Sequence, residues 1–418
     1  MLHFVLRRLV AIFDPKLPGA VWLLQLGVLI NFLGNGLVGP FLVIYLHFGR
    51  GLPIGVASSA VALGGITAVT SGLAAGSLAD RLGARNILVA AMVSNAAAYL
   101  LYTQVTAGWQ AYAVGLLVGV GTGAYGPSSQ SLIAALVPSD NRQAAFAQNR
   151  VTSVIGLGAG GMIGGFVAAS GIAGYLTLLQ LDAITFLTFA SVVLLLPDLR
   201  ASRPASAHAG YSLVLRDRAF MRLVWVNIAM VAAGIAPMFV VLPAFAKIQA
   251  HVSEAAIGAI FAVNTLTVVA AQLPLARLVA RRARMTALRT AALGWVGCWL
   301  ACLGAGALLG GAPAALVIGT AAVGYALGEC LYSAVMLPTA TALAPDHLRG
   351  RYLGVMGLAW QSGFLIGPSL CGLVLGVAPL AMPLLCAAGC FAAAAGTVAV
   401  DRGLDPELRR FSVSARAA

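Results

Sequence analysis

The sequence predicts an all-α membrane protein with twelve transmembrane helices in two pseudo-symmetric six-helix bundles. Three observations carry that expectation. The first is composition: of 418 residues, 61% are hydrophobic and 9% charged, with a mean hydropathy of +0.96, whereas soluble globules carry about 25% charged residues. The second is an internal repeat, which sets the architecture wherever one exists. Gly156, Gly160 and Gly165 return as Gly363, Gly367 and Gly372, and Pro138 and Arg142 return as Pro345 and Arg349, all at an offset of 207. The third is the placement of charge. With an even number of helices and both termini on one face, 23 of the 25 basic residues fall on that face, leaving Arg50 and Lys247 on the other. Short loops rich in Lys and Arg stay cytoplasmic, so both termini are expected to be cytoplasmic, in a cell inner membrane.

A spanning helix needs ~20 largely apolar residues. The charges are bunched, and the apolar runs between them, split at Gly- and Pro-rich breaks, place helices over 20–46, 54–78, 87–106, 110–136, 144–169 and 173–197. The second set falls at 221–246, 255–276, 286–309, 313–343, 352–376 and 378–400. One bundle therefore covers 20–197 and the other 220–400, with a cytoplasmic segment 1–19, a cytoplasmic linker 198–219 and a cytoplasmic tail 401–418. The linker is the one long polar interior stretch, with the charged and small residues of a connector. In the first segment Arg7 and Arg8 interrupt the apolar run, which argues against a cleaved signal. Residues 2–13 fit either a short helix on the inner membrane face or a disordered tail.

Along the chain, Asn31 and Asn35 lie one turn apart on the first helix and share a face. The loop after the second helix reads Gly76-Ser-Leu-Ala-Asp80-Arg81-Leu-Gly83-Ala-Arg85. Gly76 permits close helix contact and Gly83 a tight turn. Asp80 suits the positive end of a neighbouring helix, and Arg81 and Arg85 hold the loop at the cytoplasmic face. The fourth helix has Tyr125, Ser128 and Gln130 around Pro127, and no basic residue. In the fifth, Gly156, Gly160 and Gly164 fall four apart with Gly161 and Gly165 beside them, a face for close packing in lipid. Arg150, two turns into that helix, is the one inner-leaflet cation placed to be buried, unless it snorkels to the surface. Asn227 and Asn264 are the corresponding polar residues of the second half. Asn31, Asn35, Tyr125, Asn227 and Asn264 are candidates to line a largely apolar cavity, interhelical hydrogen bonding being the alternative for each.

Ten of the twelve acids fall in loops, linker or tails. The exceptions are Asp182 in the sixth helix and Glu329 in the tenth. An acid inside the bilayer costs ~2.5–3.5 kcal/mol on insertion scales and is a functional candidate for that reason. Glu329 lies sixteen residues from both Pro313 and Pro345, and reads as the only acid near the midplane. It is the first proton-coupling candidate, with a permanently protonated group hydrogen-bonded to a neighbouring helix as the competing role. Asp182, about eight residues from the outer helix end, is the second, with a structural hydrogen bond as the competing role.

The Asp80–Arg81 loop resembles the signature between helices two and three of the major facilitator superfamily, departing from it at Ala84, where a basic residue is usual. The stretch from Gly156 to Gly165 is similar to that family's antiporter motif, with Gly161 where proline is expected and Pro368 at the equivalent place in the second half. Arg277 to Arg284 resembles a degraded second copy of the first signature. The resemblance covers residues 20–400 and implies a secondary transporter resembling the twelve-helix drug-efflux antiporters, with the tenth helix lining a central cavity. Proton antiporters of the family usually carry an arginine in the fourth helix, and this chain has none there.

The six cysteines (298, 302, 330, 371, 386 and 390) sit in apolar helices, the pairs 298/302 and 386/390 one turn apart with no neighbouring His or acid, and all five histidines fall in loops or tails. No metal site, cofactor or nucleophile constellation is predicted, hence no enzyme, and the net charge of +13 marks membrane faces rather than nucleic acid. The expected protein is a monomeric, proton-gradient-driven exporter of small lipophilic or amphipathic compounds working in the lipid bilayer. A metabolite symporter or facilitator is the alternative reading, and a membrane-embedded enzyme the remote one.

Overall fold

A computed structural model describes residues 18–137, 142–197, 211–279, 283–345 and 348–409. Its twelve long helices are α1 (Gly19–Gly49), α2 (Ile54–Leu82), α3 (Ala84–Tyr102), α4 (Gly108–Leu136), α5 (Arg142–Ala168) and α6 (Ile172–Leu194) in the first half. The second half has α7 (Arg218–Val240), α8 (Glu254–Val279), α9 (Arg284–Leu308), α10 (Gly311–Leu343), α11 (Arg349–Val377) and α12 (Ala381–Gly403). Eleven are long and apolar enough to cross a membrane. The other is α4, whose 29 residues suffice in length but whose Gly, Ser, Tyr and Gln dilute its hydropathy. The interior of the stretch read as a linker is not all irregular: Tyr211–Arg216 is a short helix. The amphipathic segment expected at 2–13 and the linker core 198–210 lie outside the described residues.

Two helices are broken where the sequence dictates. In α1 the α-helix ends at Val38, Gly39–Phe41 turns, and Tyr45–Gly49 winds as a π-helix; Pro40 has no N–H to continue the ladder. In α7 a π-helical turn covers Val231–Ile235 just before Pro237.

The chain forms two compact units, Met1–Tyr45 with Leu63–Arg203, and Leu46–Ala62 with Pro204–Ala418. In the first, α1 packs along α5 and α6, and α3 along α4 and α6; in the second, α7 packs on α11 and α12, and α9 on α10 and α12. The pairings are those the repeat requires, and they agree atom group by atom group. A Cβ on Gly160 would strike the Leu33 carbonyl oxygen, and one on Gly367 would strike that of Ala232. Similarly, Gly123 approaches the Ala68 carbonyl where Cys330 directs its thiol at the Val268 carbonyl, 3.8 Å away. The bare Gly64 lies against the Gly115 carbonyl, and Asn264 on the second unit's α8 donates to the Ala322 carbonyl of α10 at 3.3 Å.

The loops after α1 and α7 are alike too. Gly51 takes φ +70, and His251 takes φ +51. Leu52 N–H donates to the Leu46 carbonyl at 3.1 Å, and Val252 N–H to the Ala246 carbonyl at 2.9 Å. A left-handed conformation costs a non-glycine residue of order 1–3 kcal/mol.

His251→Gly is therefore expected to raise the thermal midpoint of the purified protein, worth about 1 kcal/mol at most; an unchanged or lower midpoint would mean the imidazole offsets that strain. Gly160→Leu and Gly367→Leu should each lower the midpoint or abolish folded protein. Gly126→Ala, with nothing within 4 Å of the added carbon, should be neutral or stabilise by up to ~1 kcal/mol. Equal tolerance at all three sites would show that backbone contact does not set the packing.

Candidate functional site

The second unit holds its acid on a buried aromatic face. Tyr325, Glu329 and Tyr332 follow at i, i+4 and i+7 along α10, so they share one stripe, and all three are buried, Glu329 retaining 8% of its surface. Trp295 of α9 stacks on Tyr325 with ring centroids 5.3 Å apart and donates its indole N–H to the Tyr325 carbonyl at 3.0 Å. It sits there because Gly328 has no side chain to collide with the indole. From Tyr332 the aromatic set continues to Trp360 and Phe364 of α11, and from Tyr325 to Phe239 of α7 and on to Phe261 of α8. Glu329 is thus a carboxyl group set among large polarisable rings near the middle of a 33-residue helix.

The polar residues around this face mostly tie helices together. Tyr332 donates its hydroxyl to Asn227 Oδ1 in a short hydrogen bond, and Asn227 Nδ2 reaches the Met356 carbonyl at 3.5 Å. Asn227 therefore links α7, α10 and α11. Asn264 ties α8 to α10 through the Ala322 carbonyl. At the foot of the unit, Asp217 caps α7 by accepting from the Ala219 and Phe220 N–H groups at 3.0 Å each, and its other oxygen accepts from Tyr352 of α11 at 2.8 Å.

In the first unit Asp182 is fully buried and lies ten residues into the 23-residue α6, at the middle of the helix. This sits close to the eight or so residues read from the sequence and corrects one expectation: Glu329 is not alone at mid-helix. Hydropathy alone runs α6 on to residue 197, but Leu195 closes the helix. Thr185 donates to Asp182 Oδ1 at 3.0 Å, and Gly34 of α1 faces both side chains. Asn31 is buried, and its carbonyl oxygen accepts from Asn35 Nδ2 at 2.8 Å. Tyr125 packs edge-on to Phe32 at 5.9 Å and tilted against Phe189 at 6.2 Å.

Gly83 ends α2 with φ +88 and starts α3, a conformation that favours glycine. Arg85 donates to the Leu194 carbonyl at 2.7 Å, closing the C-terminus of α6, where cations are favoured. Arg81 is exposed. Gly76 and Asp80 lie on α2, but the surroundings of Gly76 and the side chains of Asp80, Arg142 and Arg349 are outside what the structure describes. Gly156 and Gly160 meet the α1 backbone at Leu29 and Leu33, Gly164 meets it at Leu37, and Gly36 of α1 in turn meets Leu157 and Gly161; Gly165 is buried beside them. Arg150 is exposed, as the snorkelling alternative has it, and among the described residues Arg284 is a buried cation, near the Pro338 carbonyl at 3.5 Å.

Sequence reasoning missed the aromatic face, Tyr325, Tyr332, Trp295 and Trp360. Its signal was present as two tyrosines flanking the acid at helical spacing. The thiols were read as packing residues, and they do pack; Cys371 and Cys386 approach to 3.4 Å between α11 and α12.

The family described as Major Facilitator Superfamily matches residues 24–368. The chain is 26% identical over 353 residues to the uncharacterised MFS-type transporter YhjO of Bacillus subtilis, covering 84% of each chain. It is also 26% identical over 355 residues to the multidrug resistance protein MdtH of Aeromonas hydrophila subsp. hydrophila, covering 83% of this chain and 85% of the relative. A crystal structure of a peptide transporter POT, a mutant in complex with sulfate, superposes with a TM-score of 0.75 at 16% identity, over 94% of this chain and 96% of that one.

Tyr332→Phe should cost ~1–3 kcal/mol of stability, because it strips the buried Asn227 oxygen of its donor. Tyr332→Phe combined with Asn227→Val should recover part of that loss. A neutral single variant in thermal unfolding would show that the hydrogen bond is not a strut.

Proposed function

The chain belongs to the major facilitator superfamily, and we propose that this multi-pass membrane transporter is a proton-coupled exporter of small lipophilic or amphipathic compounds, working by alternating access. The observation that carries the reading is the Glu329 face: one buried carboxyl flanked by Tyr325 and Tyr332 and continued by Trp360, Phe364, Phe239 and Phe261. Aromatic surfaces offer area and cation–π attraction to many lipophilic cations without demanding one shape. The carboxylate adds a charge that a cation or a proton, but not both, can neutralise. Such competition is the minimal device for antiport: a proton arriving from outside displaces the substrate, and the departing proton restores the site.

Other residues support the reading. The named relative from Aeromonas hydrophila is a multidrug resistance protein. The glycines Gly156, Gly160, Gly161, Gly164 and Gly165 form the antiporter-type motif, and the loop with Asp80, Arg81, Gly83 and Arg85 serves as the conformational switch. The basic loops set both termini on the cytoplasmic side. With no arginine in α4, the coupling proton is carried by acids alone, Glu329 first.

In inverted vesicles acidified inside, the wild type is expected to accumulate a lipophilic cationic dye, and Glu329→Gln to lose accumulation while still exchanging dye down its gradient. Dye affinity should fall as the pH drops and protons occupy the carboxylate. A Glu329→Gln protein that still pumps uphill removes this residue from coupling. Wild-type vesicles that release dye under the same gradient would mark an importer.

A further inference from the structure

The internal repeat supplies a control for Asp182. Its counterpart, 207 residues on, is Gly389 of α12, and Ala233 on α7 stands against that glycine as Gly34 on α1 stands against Asp182. In the second unit the crossing is made by small residues alone: Gly389 lies against the Ala233 methyl group, 2.5 Å from where its own Cβ would stand. In the first unit the glycine is on the other helix, and the space it vacates is filled by Asp182 and Thr185. The fold therefore builds this helix crossing without any polar group, and the acid is an addition to it. That addition is costly: the side chain is fully buried, Oδ1 is held by Thr185, and Oδ2 has no hydrogen-bond partner among the described residues. A buried carboxylate with one oxygen unsatisfied is the arrangement that apolar surroundings penalise most.

The groups around it would not neutralise its charge. Gly19–Val38 of α1 contains no titratable side chain. From α3, Tyr99 lies within electrostatic reach of Asp182 and packs on Phe186 at 5.2 Å, with Tyr102 edge-on behind it. The titratable residues of α5 are Arg142 and the exposed Arg150 near its start; Arg150 is ten residues before Gly160, about 15 Å along the helix. Tyr125 of α4 meets α6 at Phe189, two turns from the acid. The break in α1 at Gly39–Phe41 begins five residues beyond Gly34, giving that helix a place to bend away from α6.

We propose that Asp182 is a proton-binding site of the first unit in its own right: it holds a proton while α1 and α6 are packed as seen here, and releases it to water when α1 swings off. The proposal rests on the chain being an alternating-access transporter, and on neither export nor Glu329. It is tested by infrared difference spectroscopy of the full-length protein in lipid membranes as the pH is stepped. Glu329→Gln, which removes the other mid-helix carboxyl, should still show a protonated-carboxyl band that disappears as pH rises, and Asp182→Asn made in that Glu329→Gln background should lose it. The set Gly34→Ala, Asp182→Gly and Thr185→Ala, made in the same background, copies the packing of the second unit, where Ala392 is the counterpart of Thr185, so it should fold with a thermal midpoint near that of Glu329→Gln and also lack the band. A titrating band that survives in both Asp182 variants of the Glu329→Gln background, or an Asp182 band that persists at every pH, overturns the proposal and leaves the reading of Glu329 standing. An Asp182 band that titrates in a protein shown to import its substrate sinks the export reading and leaves this one intact.

Discussion

Inside lipid, an apolar side chain gains nothing by leaving its surroundings for another helix, so helices associate only where their backbones can come close. That constraint organises this protein. Gly156, Gly160 and Gly164 let α5 settle on the carbonyls of α1, and Gly363 and Gly367 let α11 settle on α7. Because the same small residues recur at a fixed offset, each unit is built around the same crossing of its first and fifth helices. The other pairings follow: α4 on α2 through Gly119 and Gly123, and α6 on α1 through Gly27 and Gly34.

Once backbones touch, there is little room for polar groups, and those that remain divide by what they do. Asn227, Asn264 and Trp295 each donate to a carbonyl of a neighbouring helix, a role glycine performs elsewhere in the repeat by simple proximity. Glu329 and Asp182 bring an ionisable group instead of a donor, and neither is matched by an acid in the other half: the counterpart of Glu329 is Thr122 and that of Asp182 is Gly389. The symmetric part of the molecule is its small-residue packing, and the two mid-helix acids lie where the symmetry is broken. At the aqueous edges charges serve geometry rather than chemistry. Arg85 closes α6, Asp217 opens α7, and Lys247 meets Glu254 at 2.9 Å, a partly exposed pair worth ~0–1 kcal/mol.

Helix number, span and repeat were legible in the sequence because hydropathy and glycine spacing are local properties that lipid enforces along each segment. The repeat at 207 residues foretold that the two halves would be built alike, and Gly83 foretold its own turn. Two acids stood out by their cost alone. What one dimension could not supply was the neighbour of each side chain. Asp182 was not set beside Glu329 because position along a helix does not say how deeply a side chain is buried, and Arg284 went unmarked because nothing in the sequence said which way its face turned. The aromatic set around Glu329 comes from α7, α8, α9, α10 and α11, residues spread over more than a hundred positions. No local pattern joins them; only the packing of five helices does. Likewise Gly34 and Asp182 are 148 residues apart, and only their contact shows that a glycine was exchanged between helices to admit an acid. What each segment must do against lipid is written in its own residues, because that solvent is the same everywhere; which polar group meets which depends on helix rotation and register, which are decided by contacts between segments.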